Sequence, residues 1–116
     1  MGSKITRHEV GARMSQAVVH GDKVYLAGVV ADSPAGSVEK QTQQVLRKID
    51  KLLKQAGTDK SRILKANIWL TDMRSFDEMN KAWDAWASKG NTPARATVEA
   101  RLVPGYHVEI MVEAAL

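Results

Sequence analysis

The sequence predicts an α+β fold in which two helices cover one face of a sheet of about six strands. Several short segments alternate apolar and polar residues, as strands with one buried face require. Two longer segments repeat apolar residues at helical spacing instead. These segments follow one another in the order β-β-β-α-β-α-β-β. Because two helices can cover only one face of such a sheet, we expect a two-layer arrangement with one open face.

The first half of the chain predicts three strands and a long helix. Residues 4–10 alternate as a strand, and residues 16–30 read as a hairpin whose turn falls at Gly21-Asp22. Apolar residues then recur with a period near 3.6. We expect this helix to begin after an N-cap at Ser37 and to end at a C-cap glycine, Gly57.

The second half begins with a different kind of strand. Residues 62–72 are nearly continuous in apolar side chains, which predicts a strand buried on both faces. Ser75 and Glu78 match the S-x-x-E capping box and open a second helix, which we expect Gly90 to close. The apolar stripe of this helix consists of Phe76, Met79, Trp83 and Trp86.

The last two predicted strands each carry one apolar row and one charged row. They are TPARATVEARL, residues 92–102, and HVEIMVEAAL, residues 107–116, and we expect them to be neighbours joined by a turn at VPGY. The apolar rows should lie under the helices, which leaves the charged rows on the far side. The charged residues there are Arg95, Glu99, Arg101 and Glu109. As purely structural alternatives, Arg101 would pair with Glu109 across the strands, or Arg95 with Glu113.

Composition narrows the possible chemistry. The absence of cysteine excludes disulfides, thiolate metal sites and a cysteine nucleophile, and it fits a cytoplasmic protein. No run approaches the roughly 18 apolar residues of a membrane span. His8, His20 and His107 lack the paired spacing of a metal site. We therefore expect neither a metal nor a membrane partner.

A net charge of +4 raises the question of nucleic acid. Eight basic residues lie between Lys40 and Lys65, mostly where a helix would face solvent. No aromatic residues are interleaved with them, as a platform for stacking bases would need. We favour a solvated basic helix over an RNA-binding surface, since charge alone specifies no partner.

An arginine and a carboxylate on the last two strands remain as candidate functional groups. The guanidinium of Arg95 is a planar fork suited to a substrate carboxylate, and it stays charged at any working pH. Glu109 is a group that can orient or activate a water molecule. The alternative for both is an ordinary ion pair on a solvated sheet face.

The segment TPARATVEARL, the Pro-Gly turn and HVEIMVEAA together resemble the C-terminal signature of the RidA/YjgF family of reactive intermediate deaminases, whose members also carry the name endoribonuclease L-PSP. The segment GDKVYLAGVVA and the order of elements are similar too, so the resemblance extends over a single domain of residues 1–116. It implies a chorismate-mutase-like fold with a mixed sheet. It also implies a homotrimeric barrel with inward-facing sheets and three ligand clefts between subunits.

The resemblance also assigns roles to individual residues. The carboxylate-binding arginine of the family falls on Arg95 in PAR, and its water-positioning catalytic glutamate falls on Glu109 in VEI. Two further substrate-binding positions fall on Asn80 in FDEMN and on Gly28, where a missing side chain lets a ligand approach the backbone. From its place in the helix stripe, Asn80 also fits a satisfied buried amide. The chain departs from the family pattern at Met14, Leu26, Ala27 and Thr97.

The function implied by the resemblance is hydrolysis of reactive 2-imino or enamine acids to a 2-oxo acid and ammonia. No cofactor is expected, because imines hydrolyse spontaneously and positioning with electrostatics can suffice. One alternative is a non-catalytic or ligand-binding trimeric scaffold, including an engineered assembly component. The other is the RNA cleavage ascribed to L-PSP proteins, for which the sequence offers no acid–base histidine pair.

Overall fold

A computed structural model describes residues 4–116, and the elements in this range follow the predicted order β-β-β-α-β-α-β-β. The strands are β1 (Ile5–Val10), β2 (Ser15–His20), β3 (Lys23–Leu26), β4 (Ile63–Leu70), β5 (Ala94–Glu99) and β6 (Val108–Ala115). The helices are α1 (Val38–Ala56) and α2 (Phe76–Trp86), with short helical turns at Lys60–Arg62 and Met73–Ser75. Neither α1 nor α2 is long and apolar enough to cross a membrane.

The strands form one mixed sheet in the order β1-β2-β3-β6-β4-β5. The β4–β5 pair is parallel and the other pairs are antiparallel. The predicted neighbourhood of β5 and β6 is therefore wrong, because β4 lies between them. Helix α2 connects β4 to β5 as a crossover, and such a connection places the two strands side by side and parallel. Both predicted cross-strand ion pairs, Arg101 with Glu109 and Arg95 with Glu113, fail for the same reason.

The core lies between the two helices and one face of the sheet. Each large aliphatic side chain that is fully buried there contributes about 1.5–3 kcal/mol. Among the fully buried aliphatic residues, the sheet supplies Val24, Ile68, Leu70, Val108, Ile110 and Val112, and helix α1 supplies Val45, Leu46, Ile49 and Leu53. Met79 and Trp83 of α2 complete this layer, and Trp83 is only 5% exposed. The predicted packing of the Phe76–Trp83 stripe against the sheet is confirmed.

The predicted turn of the hairpin and the predicted boundaries of α1 are confirmed, whereas the second strand of the hairpin ends at Leu26 and not at Val30 as predicted. Residues Gly21-Asp22 form the turn between β2 and β3. The Ser37 side chain accepts a hydrogen bond from the Lys40 backbone N–H at 3.2 Å and so caps α1. Gly57 ends this helix with φ 96°, a left-handed conformation that glycine adopts without a steric penalty.

The predicted start of α2 directly after Ser75 is confirmed, but the predicted capping box and the predicted end at Gly90 are wrong. The Ser75 side chain makes no capping bond and instead donates to the Asp72 carbonyl, because the preceding helical turn already fixes this segment. Glu78 reaches α1 and accepts a hydrogen bond from the Glu39 backbone N–H at 2.9 Å. The helix ends at Trp86 with Ala87 as C-cap, before Gly90.

Two predictions about strand faces are also corrected. Strand β4 is buried on one face only, since Leu64 is 45% exposed. On β5, Arg95 and Thr97 point to the helix side, while Ala96 and Val98 lie on the open face. Alternation shows that a strand has two faces but not which one is covered. An edge strand tolerates an inward charge, which also hinders pairing with another sheet.

Candidate active site

On the open face of the sheet, the carboxylate of Glu109 lies against Gly28. A Cβ atom at Gly28 would be 3.0 Å from the Glu109 carboxyl carbon and would overlap one of its oxygens. Reciprocal hydrogen bonds between Val29 and Ile110, 2.8 and 3.0 Å long, hold this segment beside β6. The missing side chain of Gly28 therefore leaves the room that the glutamate occupies.

On the helix side, Arg95 is bound by one face of α2. Its Nη1 donates to Asn80 Oδ1 at 2.7 Å. Its Cζ lies 5.1 Å from the ring centroid of Trp83 and 5.8 Å from that of Phe76. Both distances are within the roughly 6 Å over which a cation is attracted to an aromatic face. Asn80 thus contacts the arginine that the sequence singled out.

The structure does not bring these two pairs together within one chain. Arg95 is level with Ala66 of β4, and Glu109 is level with Trp69 of the same strand. Three residues of strand rise about 10 Å, and two strand spacings measure about 9.6 Å, so the two Cα atoms are about 14 Å apart. The side chains also project from opposite faces of the sheet.

Three surface cavities of the described chain lie away from these two pairs. They have volumes of about 460, 780 and 490 Å³ and are lined by residues other than Gly28, Asn80, Arg95 and Glu109. Within residues 4–116, no group of three or more His, Asp or Glu side chains is arranged to hold a metal ion. The Glu109–Gly28 and Arg95–Asn80 pairs therefore remain the candidate functional groups.

The positions that depart from the family pattern have distinct environments. Thr97, two residues after Arg95, has a buried hydroxyl oxygen with no hydrogen-bond partner among the described residues. Leu26 belongs to the core, Ala27 is half-buried, and Met14 is 55% exposed at the tip of the β1–β2 hairpin.

Sequence reasoning missed one residue that supports the segment leading into Glu109. Gln41 of α1 is fully buried, and its amide donates to the Gly105 carbonyl at 3.1 Å and accepts from the His107 N–H at 2.9 Å. These bonds fix the chain as it enters β6, two residues before Glu109. The only signal in the sequence is a polar residue on the buried side of a helix, which has no distinctive pattern.

The fold defines an α+β protein with a mixed six-stranded sheet and two helices on one face. The family model described as Endoribonuclease L-PSP matches residues 5–116, so the chain belongs to this family, whose members are also called RutC or YjgF proteins. The predicted family membership is confirmed.

Individual relatives support the same assignment. A RutC family protein of Haemophilus ducreyi is 45% identical over 113 residues, with 97% of each chain covered. The crystal structure of a YjgF-family protein from Neisseria meningitidis has a TM-score of 0.96 at 40% identity and covers 99% of this chain and 97% of its own. A human protein named 2-iminobutanoate/2-iminopropanoate deaminase is 30% identical over an alignment of 103 positions, with 83% of this chain and 74% of that protein covered.

Proposed function

We propose that the protein is a hydrolytic deaminase that converts reactive 2-imino and enamine acids into 2-oxo acids and ammonia. The observation that carries this proposal is the Glu109 carboxylate held against Gly28 on the uncovered face of the sheet. A carboxylate in this position is available to orient a water molecule. The name of the human relative, 2-iminobutanoate/2-iminopropanoate deaminase, supports an imine as substrate.

The active site that we propose is shared between subunits of a homotrimer. Arg95 and Glu109 of one chain face opposite sides of the sheet, so one small substrate reaches both groups only if they come from different chains. The open face also carries exposed apolar side chains, since Tyr25 is 42%, Val98 51% and Met111 36% exposed. An inward-turned sheet face in a trimer would cover these residues.

In this arrangement, each group has one task. Arg95 of one subunit binds the substrate carboxylate through its planar fork, and Asn80 orients that fork. Backbone groups near Gly28 of the neighbouring subunit fix the imine. Glu109 of that same subunit orients the water whose oxygen adds to the imine carbon.

The reaction needs only water as co-reactant. As the C–O bond forms, Glu109 accepts a proton from the water and passes it to the imine nitrogen, which gives a carbinolamine with one hydroxyl and one amino group on the former imine carbon. Glu109 then accepts the proton of this hydroxyl group and gives it to the departing nitrogen. The C–N bond breaks, the hydroxyl oxygen becomes the carbonyl of the 2-oxo acid, and ammonia leaves. Positioning and electrostatics can supply the acceleration.

A coupled assay tests the proposal. An amino-acid oxidase generates 2-iminobutanoate in the cuvette, and formation of 2-oxobutanoate is followed with and without the purified protein. We expect acceleration by the wild type and its loss in Glu109→Gln, which keeps the shape of the side chain but removes the proton acceptor. Equal rates with and without the protein would contradict the proposal. RNA cleavage measured on the same samples tests the L-PSP alternative.

A further inference from the structure

Three side chains on one face of α2 surround the guanidinium of Arg95. They are Phe76, Asn80 and Trp83, spaced four and three residues apart. Residues with this spacing lie on the same side of a helix. Because Phe76 and Trp83 are seven residues apart, they are separated by a rise of about 10.5 Å. Both rings lie within 6 Å of Cζ, so the guanidinium is close to two aromatic rings of the same helix.

We infer that Phe76 and Trp83 form an aromatic clamp that positions Arg95 for the carboxylate of the substrate. This inference rests on the proposed function and adds two positioning residues to it. Asn80 accepts a hydrogen bond from Nη1 of Arg95. The guanidinium makes no other hydrogen bond to a residue that the structure describes. The two aromatic rings accept no conventional hydrogen bond from the guanidinium, so the N–H groups that do not bind Asn80 stay available for the ligand.

The clamp is itself anchored to α1. The Trp83 ring lies 5.4 Å from the ring of Trp86 at an interplanar angle of 59°. The Trp86 Nε1–H donates to Asp50 Oδ2 of α1 at 2.9 Å. A ring held by its neighbours restricts the rotamers of Arg95 before the ligand arrives, so binding loses less side-chain entropy. Trp83 therefore acts on affinity for the carboxylate and leaves the chemistry at the imine carbon unchanged.

Substitution of Trp83 separates this role from simple packing. Trp83→Leu removes the aromatic face, whereas Trp83→Phe keeps it. Leu53→Ala, at a fully buried position near the end of α1, serves as a control for lost stability. All three are compared with wild type by calorimetric titration with 2-oxobutanoate and by KM and kcat in the coupled assay, below the melting temperature of each variant.

We expect Trp83→Leu to weaken 2-oxobutanoate binding and to raise KM by about five- to tenfold, the size of a partly desolvated cation–π contact, with kcat nearly unchanged. Trp83→Phe should stay within about twofold of wild type, since a phenyl face also attracts the cation. Leu53→Ala should bind like wild type despite its lower melting temperature. Introducing Trp83→Leu into an Arg95→Lys protein should have a much smaller effect than in wild type.

Two results would overturn the clamp. One is a Trp83→Leu protein that binds 2-oxobutanoate as tightly as wild type, and the other is a loss of equal size in Leu53→Ala. Wild-type binding of 2-oxobutanoate that depends on Arg95 and Trp83 but comes without turnover would support the clamp and contradict the deaminase. If the wild type binds no 2-oxobutanoate, the claim that the clamp positions Arg95 for a carboxylate is wrong.

Discussion

Arg95 and Glu109 project from opposite faces of the same sheet, with β4 between the strands that carry them. The arginine lies against α2 through Asn80, and the glutamate lies against Gly28 on the open face. In the proposed deaminase, two groups so placed reach one small substrate only if they come from different subunits. The expected effects of substitutions follow from this separation.

Gly28→Ala should remove activity while the protein still folds. The new methyl group would overlap the end of the Glu109 side chain, which can rotate away at a cost of about 0.5–1.5 kcal/mol. The glutamate would then no longer hold the water in place. Coupled turnover and thermal unfolding of the same variant measure both effects. In a Glu109→Ala background the substitution should have almost no effect on stability, because the overlap is gone. Full activity of Gly28→Ala would contradict the assigned position of the glutamate.

Arg95→Lys should lose about ten- to a hundredfold in kcat/KM although the charge is kept. An ammonium cannot reproduce two parallel hydrogen bonds, each worth about 1.5–3 kcal/mol when charged, and about 1.4 kcal/mol corresponds to a factor of ten. The matched control is Arg101→Lys, at an exposed arginine beyond the end of β5, which should keep wild-type turnover. Wild-type kcat/KM in Arg95→Lys would remove this arginine from the site.

Trp83→Ala should lower the free energy of unfolding by about 3–5 kcal/mol, as truncation of a buried aromatic residue does. The side chain is 5% exposed and belongs to the main core. Trp86 is only partly buried, so Trp86→Ala should cost less. Urea titrations of both variants measure the difference. Equal stability of Trp83→Ala and wild type would mean that the α2 stripe does not support the core.

Acid should remove a stabilising contribution from Asp72. Hydrogen bonds from the Arg74 side chain and backbone N–H lower the pKa of Asp72 from its ordinary 3.8 to about 2. Because the folded-state pKa is the lower one, the contribution is complete above about pH 4 and is lost as the pH falls towards 2. Thermal unfolding of wild type and Asp72→Asn should therefore differ at pH 6 and converge near pH 2. A difference that is the same at both pH values would contradict this assignment.

The sequence predicted the elements well because local signals determine them. Periodicity located α1, and Ser37 and Gly57 marked its ends with side-chain and backbone chemistry that acts within a few residues. The capping box at Ser75 and Glu78 failed since a neighbouring helical turn and a tertiary contact to α1 took over both side chains. Local patterns cannot report such competition.

Strand neighbours and faces were harder to predict. Alternation gives two rows on β5 but not the face that the helices cover, and an edge strand accepts Arg95 beneath α2 because its long side chain meets Asn80 and two rings there. Arg95 and Glu109 were singled out from the last two strands, and the roles predicted for them and for Asn80 and Gly28 came from the resemblance. Their pairing, Arg95 with Asn80 and Glu109 with Gly28, needed coordinates, since each pair joins segments far apart in the chain.

Mixed trimers test the shared site most directly. Arg95→Gln and Glu109→Gln chains are inactive separately in this account, and they are co-expressed with different tags so that mixed trimers can be isolated and counted by native mass spectrometry. If Arg95 and Glu109 come from different subunits, each mixed trimer has one intact cleft of three. Random assembly of equal amounts makes about three quarters of the trimers mixed, so about a quarter of wild-type turnover is restored. Mixed trimers that form but show no turnover, beside an active wild type, would place both groups in the same subunit's site and contradict the account.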